Sequence, residues 1–187
     1  MSRLRFMTAQ EVFETFPDLV EDIRTPPSSE PPMAFVRALA AGDTPEDALT
    51  FCAYALARRE AVWWGCQCVR LVAEIKPGAE DPSLIAAEDW VRDPDDDRRV
   101  AALRLGNESD RRGPTPWLAL AAGWSGGNIS LLGGASVPSK PDMTAKAIKT
   151  AILVALARVG ARERAPRLSL CVDGGLKLMQ YDGGQGA

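Results

Sequence analysis

The residues best suited to contact another protein form a cluster near the end of the first third of this chain. They are three charged residues and two adjacent tryptophans: Arg58, Arg59, Glu60, Trp63 and Trp64. Arginine and aromatic residues are enriched at protein interfaces and often carry much of the binding energy. Because neighbours on a helix point about 100° apart, at most one of the two indoles can sit at the centre of a given contact. The cluster therefore predicts an interaction surface or, alternatively, two core indoles beside an internal ion-pair joint between helices.

A second candidate is a glycine-containing turn in the C-terminal half. Its residues are Trp124, Ser125, Gly126, Gly127 and Asn128. Consecutive glycines expose backbone N–H groups, which can bind an anion or a small molecule. The turn lacks the lysine of a phosphate-binding loop, and no GxGxxG pattern follows a strand. We therefore interpret it as a turn that ends a helix or as a second protein-interaction patch.

Catalytic and metal chemistry find little support in the residue types. The chain has no histidine, which removes the commonest general base, the His-dependent nucleophilic triads and the commonest metal ligand. Cys66 and Cys68 point about 200° apart on a helix and cannot grip one metal ion. Eight residues of the segment 80–97 are acidic, but their spacing suits helix starts better than a calcium loop. We expect no enzymatic activity, no cofactor and no metal.

The charge and hydropathy of the chain limit which kinds of partner and which cellular compartment are expected. A net charge of -3 from 22 basic and 25 acidic residues gives no basic footprint for nucleic acid. The apolar runs 117–124 and 151–157 are shorter than the roughly 20 residues that cross a membrane. The N-terminus has no signal-peptide pattern, and the cysteines lie on apolar helix stripes, as reduced structural thiols do. We therefore expect a cytoplasmic protein that binds neither nucleic acid nor membranes.

Hydrophobic periodicity and helix-capping residues position these candidates on an all-α fold. We predict a single helical domain over residues 1–187, an irregular bundle of about seven or eight helices with possible helical-hairpin packing. The glycine- and proline-containing segment 125–141 should form an irregular loop, and the glycine-rich tail 181–187 should fray. Residues 166–179 fit both a helix and a hairpin, and we prefer the helix.

The charges are unevenly distributed along the chain. Residues 140–167 hold seven basic and two acidic side chains, whereas the first sixty residues hold six basic and ten acidic ones. Such asymmetry can orient a binding partner, although a solvated helix face explains it equally well. The acidic segment 80–97 could instead cover the basic site of a toxin, as an immunity-type protein would.

Three sequence stretches carry a resemblance to a known group of proteins. They are the Arg-Arg-Glu…Trp-Trp helix (58–66), the Gly-Trp-Ser-Gly-Gly turn (123–127) and the Pro-Asp-Met-Thr-Ala-Lys segment (141–146). Over roughly residues 9–179 the chain resembles a family of uncharacterised bacterial proteins met in gene clusters of type VI secretion systems. The resemblance implies an adaptor or chaperone that helps load a secretion spike or effector protein, with no catalytic residues to carry over. A toxin-blocking immunity protein and a small-molecule-binding domain are the alternatives.

Overall fold

The computed structural model describes residues 5–131 and 135–184, with side chains as far as Gln180. Within these ranges the chain forms ten helices. They are α1 (Ala9–Thr15), α2 (Leu19–Asp22), α3 (Pro32–Ala40), α4 (Glu46–Ala55), α5 (Arg58–Val72), α6 (Pro82–Arg92), α7 (Asp96–Glu108), α8 (Thr115–Gly123), α9 (Met143–Leu156) and α10 (Ala161–Gly184). The all-α prediction is confirmed, and the count exceeds the expected seven or eight. The four-residue helix α2 is too short to show a periodic pattern.

Capping residues explain where several helices begin. The side chains of Thr8, Asp81 and Asp95 each accept a hydrogen bond from a backbone N–H in the first turn of the following helix. These bonds satisfy donors that have no partner within the helix. Proline occupies the first turn of α3, α6 and α8, where its missing N–H costs no hydrogen bond.

The core surrounds α5, which packs against α4, α6, α8, α9 and α10. The apolar side chains that form this core come from residues between Phe6 and Met179 in the sequence. Helices α7 and α8 approach closely because two glycines face the opposite helix. A Cβ atom at Gly123 would lie 2.6 Å from the Cα of Leu103, and one at Gly106 would lie 2.7 Å from the Cγ of Leu120. The sequence pattern predicts that Gly106 and Asn107 end α7; instead the helix runs on to Glu108, and Gly106 serves close packing within it.

Arg58, Arg59 and Glu60 form the first turn of α5, on the helix that the sequence assigns to residues 58–66. At the C-terminus, α10 confirms the preferred helix for 166–179 and continues further in both directions, with Pro166 inside it. The backbone of the predicted frayed tail is helical as far as Gly184, and residues 185–187 lie outside the described part of the chain.

The described residues of segment 125–141 are irregular, as predicted, apart from one antiparallel bridge between Asn128 and Pro138. Residues 132–134 of this segment lie outside the described ranges. Of the helices in the described residues, none combines the length and apolar character needed to cross a membrane.

Candidate interaction surface

The adjacent tryptophans of α5 have different environments. Trp64 is 1% exposed, and its Nε1 donates a hydrogen bond to the Cys171 carbonyl of α10 at 2.9 Å. Its ring also packs where Gly174 and Gly175 leave room on α10. Trp63 is 43% exposed. The predicted pair is therefore divided: Trp64 belongs to the core and is removed from the candidate interaction residues, while Trp63 is available to a partner.

Arg58 joins the Arg–Trp cluster at the start of α5 to the glycine turn. Its Nη1 donates to the carbonyl of Ser125 at 2.9 Å, which fastens the N-terminus of α5 to the glycine turn. Arg5 lies nearby and donates to the Leu56 carbonyl at 2.8 Å. Burial, and next the positive charge of Arg58, lower the pKa of Arg5. The two arginines therefore serve an internal joint made with backbone carbonyls.

Arg59 fastens α5 to the end of α6. Its Nε donates to the Val91 carbonyl at 2.7 Å, and its Nη2 donates to the Arg92 carbonyl at 3.2 Å. A cation placed at a helix C-terminus also interacts favourably with the helix dipole. In place of the ion-pair joint considered as one alternative, Arg58 and Arg59 bind backbone carbonyl oxygens. Glu60 is half-buried and interacts electrostatically with Arg5.

The glycine turn is organised around Arg99, a buried arginine of α7. This guanidinium donates to the carbonyls of Gly123 at 3.0 Å and Asn128 at 3.2 Å, and to Asp96 at 2.7 Å. Gly127 has a φ of 62°, and a Cβ atom there would lie 2.8 Å from Arg99 Nη2. The turn therefore wraps a cation with its carbonyls, an arrangement unsuited to binding an anion at this point.

Sequence reasoning missed Arg99 because it stands in a run of charged residues at the start of α7. Such a run is the usual composition of an exposed first helical turn. The glycine turn also receives a hydrogen bond from the Ser139 hydroxyl to the Trp124 carbonyl. Carbonyls of Gly123, Trp124, Ser125 and Asn128 are thus engaged within the chain. The turn positions the segment that follows it.

Side chains on the outer side of α5, and apolar ones on the neighbouring helices α6 and α10, are exposed. On α5, Trp63, Gln67 and Leu71 follow one another at four-residue spacing and are all exposed. Ile85 of α6 lies one turn before Glu88, whose carboxylate binds Arg70 at 2.6 Å. Leu170 of α10 lies one turn after Arg167, which donates to the Val72 carbonyl at 2.5 Å. We call Trp63, Gln67, Leu71, Ile85 and Leu170 the Trp63 surface.

The acidic segment 80–97 is largely neutralised by arginines of the same chain. Arg70 binds Glu80 at 3.0 Å and Glu88 at 2.6 Å, and these hydrogen bonds raise the pKa of Arg70. Further ion pairs join Arg92 to Asp89, Arg98 to Asp93 and Asp95, and Arg99 to Asp96. An acidic surface that already contacts its own cations attracts a basic site less strongly.

The charge asymmetry along the chain is also matched internally. Lys149 of α9 binds Asp22 at 2.6 Å, and Arg164 of α10 binds Glu46 at 2.9 Å. The side-chain hydrogen bond from Arg164 lowers the pKa of Glu46. The basic C-terminal part of the sequence therefore packs its charges against the acidic N-terminal part.

The four cysteines are free and buried. Burial raises the pKa of the Cys68 thiol, and it raises the pKa of Cys52 to about 12. A thiol of such high pKa is a poor nucleophile at neutral pH. Within residues 5–131 and 135–184, no three His, Cys, Asp or Glu side chains converge so that they could hold a metal ion.

Comparisons with known proteins identify the chain at the level of a family. The comparison with curated proteins and the comparison with solved structures each give no match. A family match covers residues 35–179, from α3 to α10. It includes α5, the Arg99 contacts and the glycine turn, but not α1 and α2. Since the match spans more than half of the sequence, the chain belongs to DUF6931, a family of unknown function.

Proposed function

We propose that this protein is a non-enzymatic interaction module that captures a protein partner through the Trp63 surface. One observation carries the proposal: an indole 43% exposed stands on a helix that is held on several sides. Its neighbour Trp64 fixes α5 to α10, and Arg59 fixes α5 to α6. An anchor side chain on a rigid element loses little conformational entropy when it binds.

The size of the surface fits a small interface core. Trp63 and Leu71 are two turns apart on α5, which corresponds to about 12 Å along the helix axis. Leu71, Ile85 and Leu170 are 40%, 45% and 54% exposed. Clustered exposed apolar side chains with a polar rim mark interaction sites in soluble proteins. A partner with an apolar pocket for the indole would match this surface.

We further propose that the partner is a spike or effector component of a type VI secretion system and that the module acts as a cytoplasmic adaptor or chaperone. The sequence resemblance described above supports this choice. The immunity alternative depends on an acidic surface in segment 80–97, and internal ion pairs weaken that basis. An adaptor bound through apolar contacts should also keep its partner at high salt, whereas a charge-driven inhibitor should lose it.

The test compares Trp63→Ala with Val20→Ala, a matched control at an exposed apolar residue of α2. Each tagged chain is used to capture proteins from bacterial cytosol at low and high salt, and the captured partner is then purified and titrated. Removing an anchor of this kind should weaken binding by about thirtyfold or more, whereas the control should change it less than twofold. Equal binding by Trp63→Ala and Val20→Ala would refute this use of the surface.

A further inference from the structure

A groove separate from the Trp63 surface lies between the start of α2 and the beginning of α9. Its volume is about 580 Å³, within the range of roughly 300–1,000 Å³ typical of small-molecule sites. Most of the residues that line it are apolar, including Phe16, Ile129, Val137, Pro138 and Met143. None of the lining residues belongs to the Trp63 surface.

The walls of the groove are preformed, because contacts within the chain hold them in place. Phe16 is buried and packs edge-on against Tyr54, with ring centroids 5.2 Å apart. On the opposite wall, the N–H of Ile129 donates to the Val137 carbonyl at 2.8 Å, and the Val137 N–H donates to the Asn128 side chain at 2.8 Å. A preformed site avoids the entropic cost of ordering its walls on binding.

The charges that line the groove balance one another. The Nζ of Lys146 is 2.5 Å from an Asp142 oxygen and 3.8 Å from an Asp18 oxygen. Lys140 adds a second cation on the rim. Burial of Asp142 favours its neutral form, but the hydrogen bond from Lys146 and the nearby charges outweigh burial and lower its pKa. Two cations and two anions therefore face the groove, and a charged ligand would leave one charge unmatched.

We infer that this groove binds an uncharged, largely apolar small molecule. The volume, the apolar walls and the balanced charges each point to this class of ligand. The inference is independent of the proposed partner binding, because the two sites share no residue.

The experiment uses three probes of one shape on the full chain. They are 2-naphthol, which is uncharged at neutral pH, 2-naphthoate, an anion, and 2-naphthylmethylammonium, a cation. Binding is followed by ligand-observed NMR titration. We expect saturable binding of 2-naphthol with a Kd below about 1 mM and at least tenfold weaker binding of both charged probes. Equal binding of all three, or no saturable binding of 2-naphthol, would overturn the inference.

Variants locate the bound probe. Val137 lines the groove and is 46% exposed, whereas Leu131 on the same loop is 39% exposed and does not line it. Val137→Asp should weaken 2-naphthol binding at least fivefold, and Leu131→Asp should change it less than twofold. Met143→Gln provides a second groove variant if Val137→Asp fails to fold. Loss of binding in Trp63→Ala with no loss in the groove variants would assign the probe to the Trp63 surface and refute the inference.

Discussion

The contact between Gly127 and Arg99 makes a prediction that two adjacent glycines can test. Gly127 has a φ of 62°, and a Cβ atom there would lie 2.8 Å from the buried guanidinium of Arg99. At Gly126 an added Cβ atom would meet no atom within 4 Å. Alanine should therefore be destabilising at position 127 and harmless at position 126.

The magnitude has two parts. A residue with a Cβ atom in the left-handed region costs about 1–2 kcal/mol. Moving the guanidinium weakens its bonds to the Gly123 and Asn128 carbonyls, and a hydrogen bond from a charged group contributes roughly 1.5–3 kcal/mol. Gly127→Ala should lower the free energy of unfolding by about 2–4 kcal/mol. For a chain of this size, that corresponds to a fall in Tm of about 5–15 °C.

Urea denaturation followed by circular dichroism measures the effect, with Gly126→Ala as the matched control. The control should lie within about 1 kcal/mol of the native chain and can exceed it, because alanine restricts the unfolded state. A double-mutant cycle with Arg99→Ala separates the two parts, since without the guanidinium only the backbone cost remains. If Gly127→Ala and Gly126→Ala unfold at the same urea concentration, the packing of the turn around Arg99 is refuted.

Three further predictions follow from other contacts. Glu74 has a φ of 53° just after α5 and binds Arg167 at 3.1 Å. Glu74→Gly should be about 1 kcal/mol more stable than Glu74→Ala in urea denaturation. Both variants lose the ion pair, but only glycine adopts the left-handed backbone conformation without strain. The four buried thiols should react with Ellman's reagent at least a hundredfold more slowly in the native chain than in urea, and fast native reaction would contradict their burial. Arg164 lowers the pKa of Glu46 from its ordinary 4.5, so this pair stabilises the fold above that pH, and the contribution is lost as the pH falls through the lower native pKa. Arg164→Met should therefore flatten the acid side of a plot of unfolding free energy against pH. An unchanged plot would contradict the coupling.

Local patterns in the sequence were sufficient to predict the all-α class and many helix starts. An N-cap such as Asp81 acts on the turn that follows it, so the information lies within a few residues. The preference for a helix over 166–179 also depended on local spacing, and α10 confirms it. The turn at 124–128 was recognisable because glycines there permit unusual backbone angles.

The tertiary structure decided which of these residues face solvent and which contacts they make. Trp63 and Trp64 are equally apolar in sequence, and only the approach of α10, with Gly174 and Gly175 beside the indole, buries Trp64 and leaves its neighbour exposed. Arg99 is indistinguishable from its charged neighbours until α7 meets the glycine turn. Burial and the pairing of groups distant in sequence depend on how the helices pack. The residue pattern of one helix does not specify which residues of other helices will contact it.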